Sequence, residues 1–174
     1  LETKAKETNS QIYFIEDYLS KIEYEYPKIN ENIDSNKMNV ELTFNKFFSR
    51  PIKANLSLIG KVQAENAALA ALCAKILFND ISEDIIEKGL ENAFLSGRFE
   101  ILDNPFNPRK KIILDGAHTV NSILGTIDSF RKTFQNKANL VFGAAKDKDI
   151  QHIAKELIDC QLFEKAFLTK PGSV

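Results

Sequence analysis

Apolar residues at 40, 42 and 44 alternate with polar ones, and so do those at 52, 54, 56 and 58, with Pro51 in the short link between the runs. Successive side chains of a strand point to opposite faces, so the two runs predict an antiparallel hairpin with one buried face. The short apolar stretch 11–15 predicts a further strand, and the Asn-rich segment 27–39 a loop with a solvated tip. At Gly60 the period changes. Residues 64–78 are rich in Ala and Leu without Gly or Pro, which predicts a buried helix. Ser82 ahead of Glu83 and Asp84 reads as the cap of a second helix, with Ile85, Ile86 and Leu90 inward and its end near Ala93.

After a turn at 94–97 the pattern becomes alternating strand and helix. Strands are predicted at 99–102, 111–115, 140–143 and 166–169, and helices at 119–134 and 149–159. The first of these helices places Val120, Ile123, Leu124, Ile127, Phe130 and Phe134 on one stripe. The strands IILD and LVFG are apolar throughout, as strands covered on both faces are. Alternation with short links predicts an α/β fold with a parallel sheet and right-handed crossovers, and a domain boundary near 94.

Composition narrows the partners. The 174 residues are 44 % hydrophobic and 27 % charged, an ordinary globular balance that excludes collagen-like, disordered and disulfide-scaffold classes. With 23 basic against 24 acidic side chains, no general field gathers nucleic acid or an anionic membrane, so neither is an expected partner. Cys73 and Cys160 lie far apart with no metal-ligand spacing beside them. They read as packing residues in a reducing cytoplasm, and no metal site is expected among these residues. No apolar run reaches the roughly 18 residues needed to span a bilayer. The chain opens on Leu1 and its one methionine is Met38, so it is expected to be a piece of a longer polypeptide.

Ligands of open parallel sheets bind beyond the carboxyl ends of the strands, where helix N-termini present amides. Asp115, Gly116, Ala117 and His118 fall at such a strand-to-helix link, putting a carboxylate and an imidazole within one turn, with Gly116 allowing a bend and a close approach. The alternative is that Asp115 merely caps the following helix and His118 sits in its first turn. Arg98 is one of 4 Arg against 19 Lys, which suggests that a planar five-donor group is wanted for phosphate or carboxylate. Otherwise it is a surface residue paired with Glu100 or a loop carbonyl. Asn66 opens the Ala-rich helix with an amide that could read an adenine edge or simply cap the helix. His152 reads as solvated, and the KDKD run 146–149 as a turn capping the next helix.

Four motifs stand in order: L-x-G-x-x-Q-x-x-N-A-A-x-A from Leu58, S-G-R-F-E from Ser96, L-D-G-A-H-T from Leu114 and F-G-A-A-K-D-K-D from Phe142. Together they resemble folylpolyglutamate synthases and dihydrofolate synthases of the Mur ligase superfamily. The resemblance implies that 1–93 are the C-terminal part of a central ATPase domain and 94–174 the first half of a Rossmann-like C-terminal domain. It implies ATP-dependent ligation of L-glutamate to a folate γ-carboxylate through an acyl phosphate, in a cytoplasmic enzyme expected to be monomeric. ATP, folate and glutamate are then the partners. The P-loop, the Mg²⁺ ligands and the carbamylated lysine of that family are not in this sequence, which holds no G-x-x-x-x-G-K-[ST].

By the same resemblance Asn66 contacts adenine, Arg98 the phosphates, Asp115 the ribose or the interdomain contacts around it, and His118 the phosphate region, with Asp115 and His118 the candidate catalytic pair. Val62 replaces a His common in the first motif, and Thr119 and Val120 replace a common Asn-Pro. The DG before AH and the DKD at 147–149 resemble the folate branch more than the D-Y-A-H of peptidoglycan-precursor ligases. A fragment of such a Mur-type ligase, or a binding module that kept nucleotide-facing residues without chemistry, are the alternative readings. A helix N-terminus disfavours charge on an imidazole, so neutral His118, bonded toward phosphate or Asp115 and opening with Asp115 on one crevice beside Arg98, is expected near pH 7.

Overall fold

The alternation at 38–44 and 52–56 folds into the centre and one edge of a three-stranded antiparallel sheet. Residues 1–29, 36–107, 109–145 and 147–169 are described by a computed structural model. The sheet has the order β1 (Leu19–Glu25), β2 (Met38–Phe44), β3 (Ile52–Leu56). Ile22 lies opposite Leu42, and Leu42 opposite Ile52, so the register stacks the inward positions of all three strands. Met38, Leu42 and Ile52 are wholly removed from solvent. The run 11–15 is not a strand: it leads into a single 3₁₀ turn at Ile15–Asp17. The edge strand is the segment where Ile22, Tyr24 and Tyr26 alternate with Lys21, Glu23 and Glu25, a period-2 pattern interrupted by charge. A short exposed helix, α1 (Glu2–Thr8), precedes it and buries nothing. The tip of the Asn-rich loop, 30–35, lies outside the described residues.

Helix α2 (Lys61–Leu77) buries Ala64, Ala67, Ala68, Ala71 and Leu72, an i, i+3, i+4 stripe whose small side chains let the helix approach the sheet closely. Cys73 is exposed, contrary to its reading as a packing residue, because it falls one position off this stripe. Helix α3 (Glu83–Asn92), capped by Ser82, lies along β3. Its Glu83, Glu87 and Glu91, one per turn, accept the backbone N–H groups of Ser49, Lys53 and Asn55 at 3.0, 2.8 and 3.1 Å. An acidic helix face thus satisfies donors that an edge strand would leave open to a second chain.

Arg50 bonds Asp84 and Glu87 across the same seam. The Arg50 guanidinium holds Glu87 below the ordinary carboxylate range, and the Ser49 amide does the same for Glu83. Groups with depressed folded pKa values stabilise the fold above the unfolded carboxylate range and lose that contribution as pH falls through the folded values. The melting temperature is therefore expected to drop as pH is lowered below about 4.3, the free Glu value. The drop should be shallower in Glu87→Gln; identical pH profiles in the two proteins would remove Glu87 from this role.

The second half follows the predicted order: β4 (Glu100–Asp103), β5 (Lys111–Leu114), α4 (Val120–Thr133), β6 (Ala138–Gly143), α5 (Ile150–Asp159) and β7 (Phe163–Thr169). β6 and β7 pair in parallel, whereas β4 and β5 pair antiparallel, so the hairpin 100–114 departs from a purely parallel reading. Its connection is too short for a parallel crossover, which needs a dozen residues or more. Ile123, Ile127 and Ile153 form the core of α4 and α5, with Phe142 against them. The expected double coverage is absent among the described residues: Ile112, Leu114 and Val141 are 42 %, 48 % and 71 % exposed, because alternate positions of β5 and β6 face away from the packed helices. Gly143 is required where β6 ends, since a Cβ there would lie 2.9 Å from Thr169 Cγ2. No described helix is long and apolar enough to cross a membrane.

The two halves meet on α4. Phe99 and Phe130 join the core of the first half. Ile29 donates its N–H to the Thr133 carbonyl at 3.0 Å. The Tyr26 hydroxyl accepts the Lys61 N–H at 3.0 Å and reaches Asp128 Oδ2 at 3.4 Å, while Lys132 lies over its ring. Gly60, at φ 134, opens α2 without a side-chain cap, and a Cβ there would sit 3.2 Å from Ser129 Oγ. Glycine is needed at this crossing for both its backbone and its lack of bulk.

Candidate functional site

Three of the four residues singled out in the sequence gather where α3 hands over to the second half and β5 ends. Gly97 (φ 70) and Phe99 (φ 47) are both left-handed, and Arg98 stands between them. The 97–99 turn is fastened to the link after β5 by two bonds: Gly116 donates its N–H to the Gly97 carbonyl at 2.8 Å, and Phe99 donates its N–H to Asp115 Oδ2 at 2.7 Å. Glu100 secures the other side by accepting Ser96 Oγ–H and the Gly97 N–H, which hold its carboxyl below the ordinary range.

Asp115 is not the cap of α4. Its Oδ1 accepts the Ala117 N–H at 2.7 Å, so both carboxylate oxygens are engaged by backbone amides. The cap is Thr119, which takes the Ser122 N–H, while Ser122 Oγ accepts the N–H groups of His118 and Thr119 at 3.1 and 2.9 Å. These amides are therefore not free for an anion, and the T-x-x-S spacing carried the signal for this reciprocal cap. Gly116 does not have a left-handed φ; the backbone bends at Gly97 and Phe99 instead.

Arg98 is exposed and forms no ion pair with any described residue, so neither Glu100 nor a loop carbonyl holds it. Its Nη1 lies 3.5 Å from where a Cβ on Gly116 would be. A free guanidinium over bare backbone offers a bidentate fork to phosphate or carboxylate.

His118 is exposed and turns its Nδ1 to the Gly116 carbonyl at 2.8 Å rather than to Asp115. A carbonyl only accepts, so Nδ1 carries a proton, and of the two neutral tautomers the geometry selects the one that presents Nε2 as an acceptor. In this tautomer the ring can take a bond from a hydroxyl or an amine, and it donates to phosphate only when protonated. Asp147, after β6, is held below its ordinary value first by the hydrogen bond it accepts from Lys148 at 2.8 Å. Asp149 caps α5 and pairs with exposed His152. Lys146, the first residue of the KDKD turn, lies outside the described residues.

Asn66 sits in the second turn of α2, too far in to cap it, and its exposed amide touches Gln63 Oε1 at 3.4 Å. No hydrogen bond joins Asn66 to the other three residues. Among the described residues no group of three or more His, Cys, Asp or Glu could hold a metal ion, so they do not fit the Mg²⁺ that the family resemblance implies.

Residues 97–172 match the family described as Mur ligase, glutamate ligase domain. A dihydrofolate synthase/folylpolyglutamate synthase of Bacillus subtilis is 34 % identical over 58 % of this chain and 24 % of its own length. A UDP-N-acetylmuramyl-tripeptide synthetase of Borrelia garinii is 27 % identical over 82 % of this chain and 26 % of its own. The crystal structure of a folylpolyglutamate synthase from Thermotoga maritima superposes with a TM-score of 0.69 and 29 % identity, covering 97 % of this chain and 37 % of that one. The chain thus spans about a quarter to two fifths of the length of these proteins.

Proposed function

We propose, from the match of residues 97–172 to the Mur ligase glutamate ligase domain, that this chain serves an ATP-dependent ligase that joins L-glutamate to the γ-carboxylate of a folate. The observation that carries this reading is the likeness to the Thermotoga folylpolyglutamate synthase along 97 % of the chain at 29 % identity. In this proposal residues 1–93 are the end of the central ATPase domain and 94–174 the start of the Rossmann-like C-terminal domain. Asn66 faces adenine and Arg98 the phosphates. His118, proton on Nδ1, accepts at Nε2 from a ribose hydroxyl or from the amine that attacks the activated carboxylate. The Mg²⁺ ligands belong to the P-loop-bearing part of a complete ligase, in keeping with the absence of that motif here. The working compartment in this proposal is the cytoplasm.

The second reading, a ligase of UDP-linked muramyl peptides, is favoured by the broader span of the Borrelia match. The two separate in one assay on a complete polypeptide carrying this sequence: ADP release is expected to require L-glutamate and a reduced folate, and a requirement for a UDP-linked muramyl peptide instead would establish the second. The 174 residues alone are expected to ligate nothing, since phosphoryl transfer needs a phosphate cradle and a metal, and the sequence holds no P-loop motif and the described residues no metal-holding cluster. Glutamate-dependent folate consumption by this chain would refute that.

A further inference from the structure

The 97–99 turn is costly to form. Phe99 is a bulky residue at φ 47, 3 % exposed, and such a backbone persists only where its surroundings over-determine it. Its ring is locked in the core of the first half, and its N–H is locked by Asp115. Arg98, between these two anchors, has no side-chain partner of its own among the described residues, so the backbone turn alone decides where its long side chain leaves the surface.

We propose that Asp115 is the positioning residue of Arg98: its carboxylate, closed onto the Phe99 and Ala117 amides, holds the strained turn that aims the guanidinium at phosphate. The phosphate part rests on the nucleotide reading above; the holding part does not. An aspartate serves because two backbone donors converge on it at 2.7 Å each. Asparagine keeps one acceptor and turns an NH₂ toward the other amide, a donor against a donor.

The test uses the 174-residue chain. In Asp115→Asn, hydrogen exchange at the Phe99 amide is expected to accelerate about tenfold or more, as for the loss of one charge-assisted bond, with a fall in the order parameter of the Arg98 Nε–H. Gly97→Ala, which strains the same turn while leaving Asp115 intact, is expected to lower the same order parameter and decides the matter should Asp115→Asn not fold. Unchanged Arg98 order in a folded Asp115→Asn chain, or in Gly97→Ala where Asp115→Asn does not fold, overturns the proposal.

Binding of ATP by a complete ligase carrying this sequence then separates the two layers. If Asp115 acts through Arg98, Asp115→Asn and Arg98→Lys weaken ATP non-additively, the double variant binding within about twofold of the weaker single. Full additivity means Asp115 meets the nucleotide itself and overturns the assignment. A complete wild-type ligase carrying this sequence that binds no ATP at all would count against the nucleotide reading, while the exchange and order measurements still judge the turn.

Discussion

Arg98→Lys in a complete ligase carrying this sequence is expected to lower kcat/KM for ATP by about a hundredfold, roughly 2.7 kcal/mol of lost transition-state stabilisation. Lys keeps the charge but not the planar fork, so the loss measures two-pronged contact rather than attraction. Arg98 is exposed and unpaired among the described residues. Removing its fork should therefore leave stability within about 0.5 kcal/mol, the usual range for surface changes. Differential scanning calorimetry beside steady-state kinetics reads both numbers. Kinetics unchanged by the substitution would return Arg98 to an ordinary surface cation, and a large fall in melting temperature would make it a fold residue.

Leu42→Ala should have the largest effect on stability, about 2 to 5 kcal/mol against a total of roughly 5 to 15 for a domain. Leu42 is wholly buried at the centre of the sheet, between Ile22 and Ile52 across the strands. Its cluster also holds Phe99 and Phe130 from the second half. The destabilisation should therefore reach both halves in a single urea transition, seen alike by far-ultraviolet circular dichroism and by exchange at Ile153 in the core of α4 and α5. Two separated transitions would show that the α4 joint does not couple them.

The elements were legible where period and capping agree. The helix expected over 64–78 from its Ala stripe forms over 61–77, the Ser82 cap follows from its acidic neighbours, and the order of strands and helices after 98 from apolar runs broken by polar links. What escaped had weak or misleading local signal. The edge strand β1 carries charge at every second position, and the stretch 11–15, apolar but short, drew the strand away from it. The capping box of Thr119 and Ser122 was hidden behind an Asp that could equally have been the cap.

By itself the sequence determined the residue types at the site: a lone Arg after a Gly, a carboxylate and an imidazole three residues apart, and an amide on an Ala-rich helix. It also determined the periodicities that put them on a strand end, a turn and a helix. Only the tertiary structure decided what each group is free to do. Asp115 is spent on two backbone amides, one of them 16 residues away; His118 is tied to a carbonyl that sets its tautomer; Arg98 is left open by a turn whose strain is borne by Phe99 in the opposite half's core. Hydrogen-bond partners and left-handed backbone are properties of chains brought together in space. Local propensity, which reaches only a few residues along the sequence, does not encode them.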